Sequence, residues 1–116
     1  MPEKYLYVFV RQDIPVPQQI VQSNHAVFSL VTLLQLQFSV PNIIVIGVPD
    51  VKALERVQLK LKSNSIKHYA WTEPDFDFGF TSIATVPLSV EEKSVLSGYR
   101  LLKFADTQDE RAPLAA

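Results

Sequence analysis

Gln18, Gln22, His25, Ser29 and Thr32 recur every three or four residues within "QQIVQSNHAVFSLVT". At about 100° per residue these side chains fall on one narrow stripe of a helix. The stripe interrupts an otherwise apolar segment, with Ile20, Val27, Phe28, Val31, Leu34 and Phe38 over much of the remaining circumference. A helix so apolar elsewhere is expected to pack on several sides, leaving its polar stripe toward solvent or toward a cleft. An imidazole in a cleft is the side chain best suited to move protons near neutral pH. Three carboxylates, Glu73, Asp75 and Asp77, crowd the segment "EPDFDFG". A carboxylate brought close to His25 would make an acid/base pair, the core of many hydrolytic sites. Two simpler readings stay open, a structural or exposed histidine and a solvated acidic turn.

The elements that must position these groups follow from hydrophobic periodicity. "KYLYVFVR" (4–11) is aromatic and β-branched at nearly every position, as a strand buried on both faces requires. Pro15 and Pro17 break it, and the second proline suits the first turn of a helix spanning residues 18–38. Pro41 stops that helix, and "IIVIGV" (43–48) is a second strand. Asp50 is the expected N-cap of a helix over 51–63, where Val51, Leu54, Val57 and Leu61 share one face. Lys52, Arg56 and Lys60 repeat on the opposite face as solvated surface or as a local basic stripe. Residues 66–72 and 80–88 read as the third and fourth strands. Ser89 and Glu92 form a capping box that opens a short helix to Leu96. "YRLLKF" is expected to add an extended piece.

The order β-α-β-α-β-β-α predicts an α/β domain, a three-layer α/β/α arrangement around a four-stranded mixed sheet. Two right-handed crossovers make the first three strands parallel, and the short third link turns the fourth strand antiparallel. The start of the first helix and the acidic loop then share the carboxyl edge of the sheet, where ligands of open α/β sheets bind. One domain over residues 1–104 is expected, with a loose tail over 105–116.

Composition narrows the chemistry. The chain has 116 residues, 47% hydrophobic and 20% charged, with a net charge of −1. Nucleic-acid binding ordinarily brings a basic surplus, so a tRNA partner would need a local basic face. The absence of cysteine removes disulfides, thiolate metal sites and cysteine nucleophiles. Three glycines are too few for a glycine-rich phosphate loop. No His-x-x-x-His spacing suggests a metal, and no cofactor is expected. Ser23, Ser29 and Ser82 lack the glycine-flanked elbow of a nucleophilic serine. Trp71, Phe76, Phe78 and Phe80 either offer a stacking surface or fold their loop onto the core. No apolar run approaches the roughly 18 residues of a membrane span, and no secretory leader is recognisable, so a cytoplasmic protein is expected.

The succession "YVFVRQD" and "QQIVQSNHA" resembles the opening of the type-2 peptidyl-tRNA hydrolases. That family shows a Val-Val-Arg-x-Asp strand end followed by Gly-Lys-x-Ala-Ala-Gln-Cys-x-His-Ala. Arg11 and Asp13 match the strand end, and Gln22, His25 and Ala26 match the helix. "IIVIGVPDVKALERV" and "TSIATVPLSVEEKSVLSGYRLLKF" resemble the family's later elements, so the likeness runs over residues 4–104 at low identity. It implies a peptidyl-tRNA hydrolase type-2 fold and hydrolysis of the ester joining a peptide or acyl group to tRNA. On that resemblance Gln22, His25 and Glu73 would position or transfer protons, and Arg11, Asp13, Gln18, Ser23 and Asp75 would contact substrate. The departures are specific. Gln18 stands where the family keeps a lysine implicated in catalysis, and Pro15 and Pro17 replace glycines beside it. Ser23 replaces a cysteine. Glu73 is the best placed substitute for an aspartate of the family's Asp-Ala-Gly-Arg-Thr-Gln stretch, whose arginine and threonine find no clear counterpart in "EPDFDFGFT". Losing one preorganised charged donor can cost about 2.7–4 kcal/mol of transition-state stabilisation. The alternative expectation is therefore a non-catalytic binding or regulatory module on the same fold. The apolar "YRLLKF" segment is expected to pack either on its own domain or on a second copy, which would make a homodimer.

Overall fold

A computed structural model describes residues 4–35 and 37–104 of the chain. The expected tail over 105–116 lies outside the described residues. Strand β1 (Tyr5–Arg11) is followed by α1 (Val16–Leu33), β2 (Asn42–Val48), α2 (Val51–Ser63), β3 (His68–Glu73), β4 (Gly79–Thr85) and the short helix α3 (Val90–Lys93). A single 3-10 turn, Ser94–Leu96, extends α3.

The four strands form one mixed sheet in the order β2-β1-β4-β3. β1 and β2 run parallel, from Tyr5 opposite Asn42 to Arg11 opposite Val48. β4 runs antiparallel to both β1 and β3, so β3 points the same way as β1. The expected strand directions are those observed. The central place of β1 explains its composition, because residues 6–10 are all buried. Alternation sends Leu6 and Val8 into one layer with Ala26 and Leu30 of α1. Tyr7 and Phe9 point the other way, into the layer with Leu54, Val57 and Leu61 of α2. The two long helices thus cover opposite faces of the sheet. The outer edge of β2 is covered in part by the chain after α3, through a bridge between Ile46 and Leu101 and a bond from Leu102 N to Val45 O.

Local chemistry sets the ends of the elements. Asp50 caps α2 by accepting from Ala53 N at 2.9 Å. The capping box is complete, with Ser89 Oγ accepting from Glu92 N and Glu92 Oε1 accepting from Ser89 N. Pro17 lies in the first turn of α1, which begins at Val16 rather than residue 18. The helix also stops at Leu33, short of the expected residue 38. Leu34 N still bonds Leu30 O, but Gln35 takes a left-handed conformation (φ 52°) that ends the helical ladder. The "YRLLKF" segment forms no strand of the sheet; it touches the edge of β2 through the Leu101 bridge and the Leu102 N–Val45 O bond.

A second difference concerns the faces of α1. Its outer side carries Ile20, Val21, Phe28 and Val31 in contact with solvent, Phe28 being 72% exposed. Gln19, Gln22 and Ser29 are buried instead. The expectation that the apolar positions would pack on several sides does not hold. Gln22, at the centre of the polar stripe, faces inward because β3 and β4 present hydrogen-bonding side chains to it, whereas Thr32 at the end of the stripe is exposed.

Candidate functional site

Gln22 is the centre of the site. It is fully buried, and all four hydrogen-bonding positions of its side-chain amide are used. Nε2 donates to Glu73 Oε1 at 2.9 Å and to Gln18 Oε1 at 3.2 Å. Oε1 accepts from Thr81 Oγ1 at 2.8 Å and from the Trp71 indole N–H at 3.0 Å. An indole can only donate and an ionised carboxylate can only accept, so these two neighbours fix the orientation of the amide. The backbone oxygen of Gln22 accepts a further bond from Ser82 Oγ at 2.7 Å.

A β-bulge makes this possible. Trp71 pairs with Ser82, but the next residue, Thr72, pairs with Phe80, leaving Thr81 as the extra residue of β4. Regular alternation would send Thr81 and Ser82 to opposite faces. The bulge lets both consecutive hydroxyls reach Gln22 on the α1 side. Neither Thr81 nor the indole N–H of Trp71 was recognised as part of the site from the sequence. A bulge breaks the period of two without changing residue type, so no sequence signal identifies it.

Glu73 ends β3 with its side chain only 8% exposed. Beyond Gln22, its Oε2 accepts from Asp75 N at 3.1 Å. The Gln22 amide, followed by the Asp75 backbone N–H, the positive potential of His25 and the Trp71 indole, holds this carboxyl below its ordinary range, against the opposing effect of burial. Glu73 is therefore an anion at neutral pH. His25 Nε2 lies 4.0 Å from Glu73 Oε1, beyond a hydrogen bond and within ion-pair range. The imidazole stacks on Trp71, with centroids 4.7 Å apart and planes at 19°, while its side chain remains 44% exposed. One face of the ring is fixed by the indole, and the rest is open to solvent or to a ligand.

The other expected site residues fall into separate roles. Arg11 and Asp13 pair with each other through Nε–Oδ1 at 2.8 Å and Nη2–Oδ2 at 3.0 Å. Arg11 Nη1 also donates to the backbone oxygens of Phe78 (2.6 Å) and Phe80 (3.0 Å), which ties the end of β1 to the loop after β3. Two consecutive residues of that loop, Phe76 and Asp77, have positive φ (62° and 57°), a strained conformation for side chains of this size. The Arg11 bonds hold the loop in that shape. Ser23 Oγ donates to the backbone oxygens of Gln19 and Ile20, both at 2.9 Å, and so is turned into its own helix. Asp75 is exposed and joins the network through its backbone N–H. Phe76 and Phe78 contact each other at 5.4 Å, and Phe76 stays 68% exposed, so it does not fold onto the core. Gln18 reaches Gln22 through its oxygen, leaving its Nε2 donors without a partner among the described residues.

His25, Glu73 and Gln22 therefore converge, with Trp71 and Thr81, at the carboxyl end of β3 beside the first half of α1. Among the described residues no three histidine or carboxylate side chains gather as a metal would need. Ser23 is no nucleophile in this setting. What the arrangement can do is accept a proton on His25 and stabilise the resulting cation with Glu73. Among the described residues no helix is long and apolar enough to cross a membrane.

No protein-family model matches the chain, and no curated protein matches it. Among solved structures, a protein of unknown function from Agrobacterium tumefaciens strain C58 is similar, with a TM-score of 0.68 at 13% identity. The match covers 89% of this chain and 100% of the other. At that identity the likeness establishes a shared fold, a small α/β domain built on a four-stranded mixed sheet.

Proposed function

We propose that this group of side chains is an ester-hydrolase site of the peptidyl-tRNA hydrolase type, acting on the bond between a peptidyl or acyl group and the terminal ribose of a tRNA. The observation that carries the reading is the convergence of His25 and Glu73 on a buried glutamine that holds the carboxylate in place. His25 takes a proton from water as the water oxygen attacks the ester carbonyl. Glu73 stabilises the imidazolium, and the proton passes to the departing ribose oxygen. Gln22 keeps Glu73 ionised and oriented, and the Nε2 donors of Gln18 face the developing oxyanion in place of an ammonium. A neutral donor there is weaker than a charged one, and slow turnover follows.

A second reading, a non-catalytic binding module, draws on a different observation. Arg11, the cation nearest the acidic loop in the bonding network, is already committed to Asp13 and to two backbone oxygens. Asp75 and Asp77 on the exposed loop would repel tRNA phosphates. Purified protein with peptidyl-tRNA separates the two. The hydrolase reading expects slow release of peptide that His25→Ala abolishes and Gln18→Lys raises. Absence of release above buffer at high protein concentration, in both the native chain and the Gln18→Lys variant, overturns it.

A further inference from the structure

A second feature lies on the same edge of the sheet, away from His25 and Glu73. α1 leaves β1 toward one face, and α2 leaves β2 toward the other. β1 and β2 are adjacent parallel strands, so their crossovers diverge at the carboxyl ends. That divergence opens a crevice, the usual place for ligands in open α/β sheets. A cavity of about 580 Å³ occupies it, lined by Gln12, Gly47, Arg100 and Lys103 among others. An adjoining cavity of about 270 Å³ shares Gly47 and Arg100 and extends to Arg56 and Tyr99. Together they match the size of a small-molecule site.

The crevice is constructed rather than incidental. Gln12 folds across the end of β2, donating from Nε2 to Lys103 O at 2.8 Å and to Gln19 Oε1 at 3.4 Å. A Cβ on Gly47 would meet the end of the Gln12 side chain, so a larger residue there would push this glutamine out of its present position. The lining is also strongly one-sided in charge. Arg56, Arg100 and Lys103 contribute three cations, and none of them is in an ion pair among the described residues. Burial pushes the Tyr99 phenol up, the nearby Arg56 guanidinium offsets part of that rise, and Lys60 lies over the same ring at 5.4 Å. The one carboxylate at the start of α2, Asp50, is engaged in capping Ala53 N. Like charges gathered around a concave surface repel one another, and a multiply charged anion relieves that repulsion. Two guanidiniums and an ammonium suit a phosphate group, which accepts forked bonds from each arginine.

From these observations we infer that the crevice between the carboxyl ends of β1 and β2 is a binding site for a small phosphate-bearing molecule of about mononucleotide size, held by Arg56, Arg100 and Lys103. The inference does not depend on the ester-hydrolase reading. Amide NMR titration of the full chain with inorganic pyrophosphate, AMP and uncharged adenosine tests it. Pyrophosphate and AMP are expected to shift the Gly47, Gly98 and Arg100 amides saturably, with affinity that falls as salt rises. Arg100→Ala should weaken AMP binding about tenfold, the loss of a charge-assisted bond. His25→Ala should leave AMP binding unchanged. Arg100 is exposed, so its variant keeps the native spectrum elsewhere, and Lys103→Ala supplies an independent variant. The inference is overturned if no saturable shift appears at millimolar ligand, or if adenosine binds as well as AMP. Shifts confined to the His25 and Glu73 region, or binding of tRNA without binding of either small anion, overturn it equally.

Discussion

α2 buries Ala53, Leu54, Val57 and Leu61 and turns Lys52, Glu55, Arg56 and Lys62 outward, whereas α1 buries Gln19, Gln22 and Ser29 and turns Ile20, Val21, Phe28 and Val31 outward. Both helices pack on one sheet, and the same solvent meets both. The difference lies in what the two faces of the sheet present. On the α2 side Tyr7, Phe9, Ile46 and Ile83 offer apolar surface, and burial of aliphatic groups needs no directional partner. On the α1 side Leu6, Val8 and Ala84 do the same beside Ala26 and Leu30. Toward the carboxyl end of β3, however, Trp71, Glu73, Thr81 and Ser82 replace them with donors and acceptors. A buried amide is tolerable there only because every one of its bonds is made. α2 and the sheet supply the fold, while the first half of α1 sacrifices packing to hold a polar network in a fixed geometry.

Five substitutions separate these roles. Leu54→Ala should have the largest effect, removing about 2–5 kcal/mol of stability in urea denaturation, because Leu54 is fully buried and a cavity remains. Gln22→Leu should cost less, about 1–3 kcal/mol, chiefly from Thr81 Oγ1 and the Trp71 N–H left without a bond. Adding Thr81→Val to Gln22→Leu should recover part of that loss. Full additivity of the two losses would show that the network is not coupled.

The next effect is read along pH. Glu73 has a folded-state pKa below its usual 4.5, so its stabilising contribution is complete above that value. It is lost as pH falls from about 4.5 through the lower folded value. Thermal melts in that window should lose less stability in Glu73→Gln than in the native chain. Equal slopes would mean that the carboxylate is not held by Gln22 as described. Phe28→Ser should have the smallest effect, within about 0.5 kcal/mol, since Phe28 lies on the outer face of α1. A large loss there would mean that the outer apolar face is covered in solution, and sedimentation of the native chain would reveal the covering copy.

The same contrast explains what could be read from the sequence. Continuous β-branched runs marked β1 and β2, the three- and four-residue spacing of Val51, Leu54, Val57 and Leu61 marked α2, and Asp50 and Ser89 marked helix starts, because each signal is local. Chain order and link length were enough for the strand directions. The placement of β4 between β1 and β3 depends on contacts across the whole chain, and no local pattern encodes it. The end of α1 was missed because Gln35 enters the left-handed region, where glycine or asparagine would have signalled a stop. For the site, edge-of-sheet geometry and the Gln-x-x-His-Ala resemblance were enough to bring Gln22, His25 and Glu73 together on paper. The partners of Gln22 were not legible. Thr81 reaches it only through a bulge, and Trp71 suggested a stacking surface more readily than a donor.

The bonds of Gln22 also carry a consequence for the order in which the molecule becomes competent. Its partners Trp71, Glu73 and Thr81 lie 49, 51 and 59 residues later in the chain. During synthesis the helix bearing Gln22 and His25 is complete well before any of them has emerged. β1 is already present to receive Ala26 and Leu30, but every side-chain partner of Gln22 on the sheet is absent until β3 and β4 arrive. The late contacts that complete the docking of α1 are the contacts that assemble the site. A chain that has docked this helix correctly has, by the same step, fixed Glu73 beside His25.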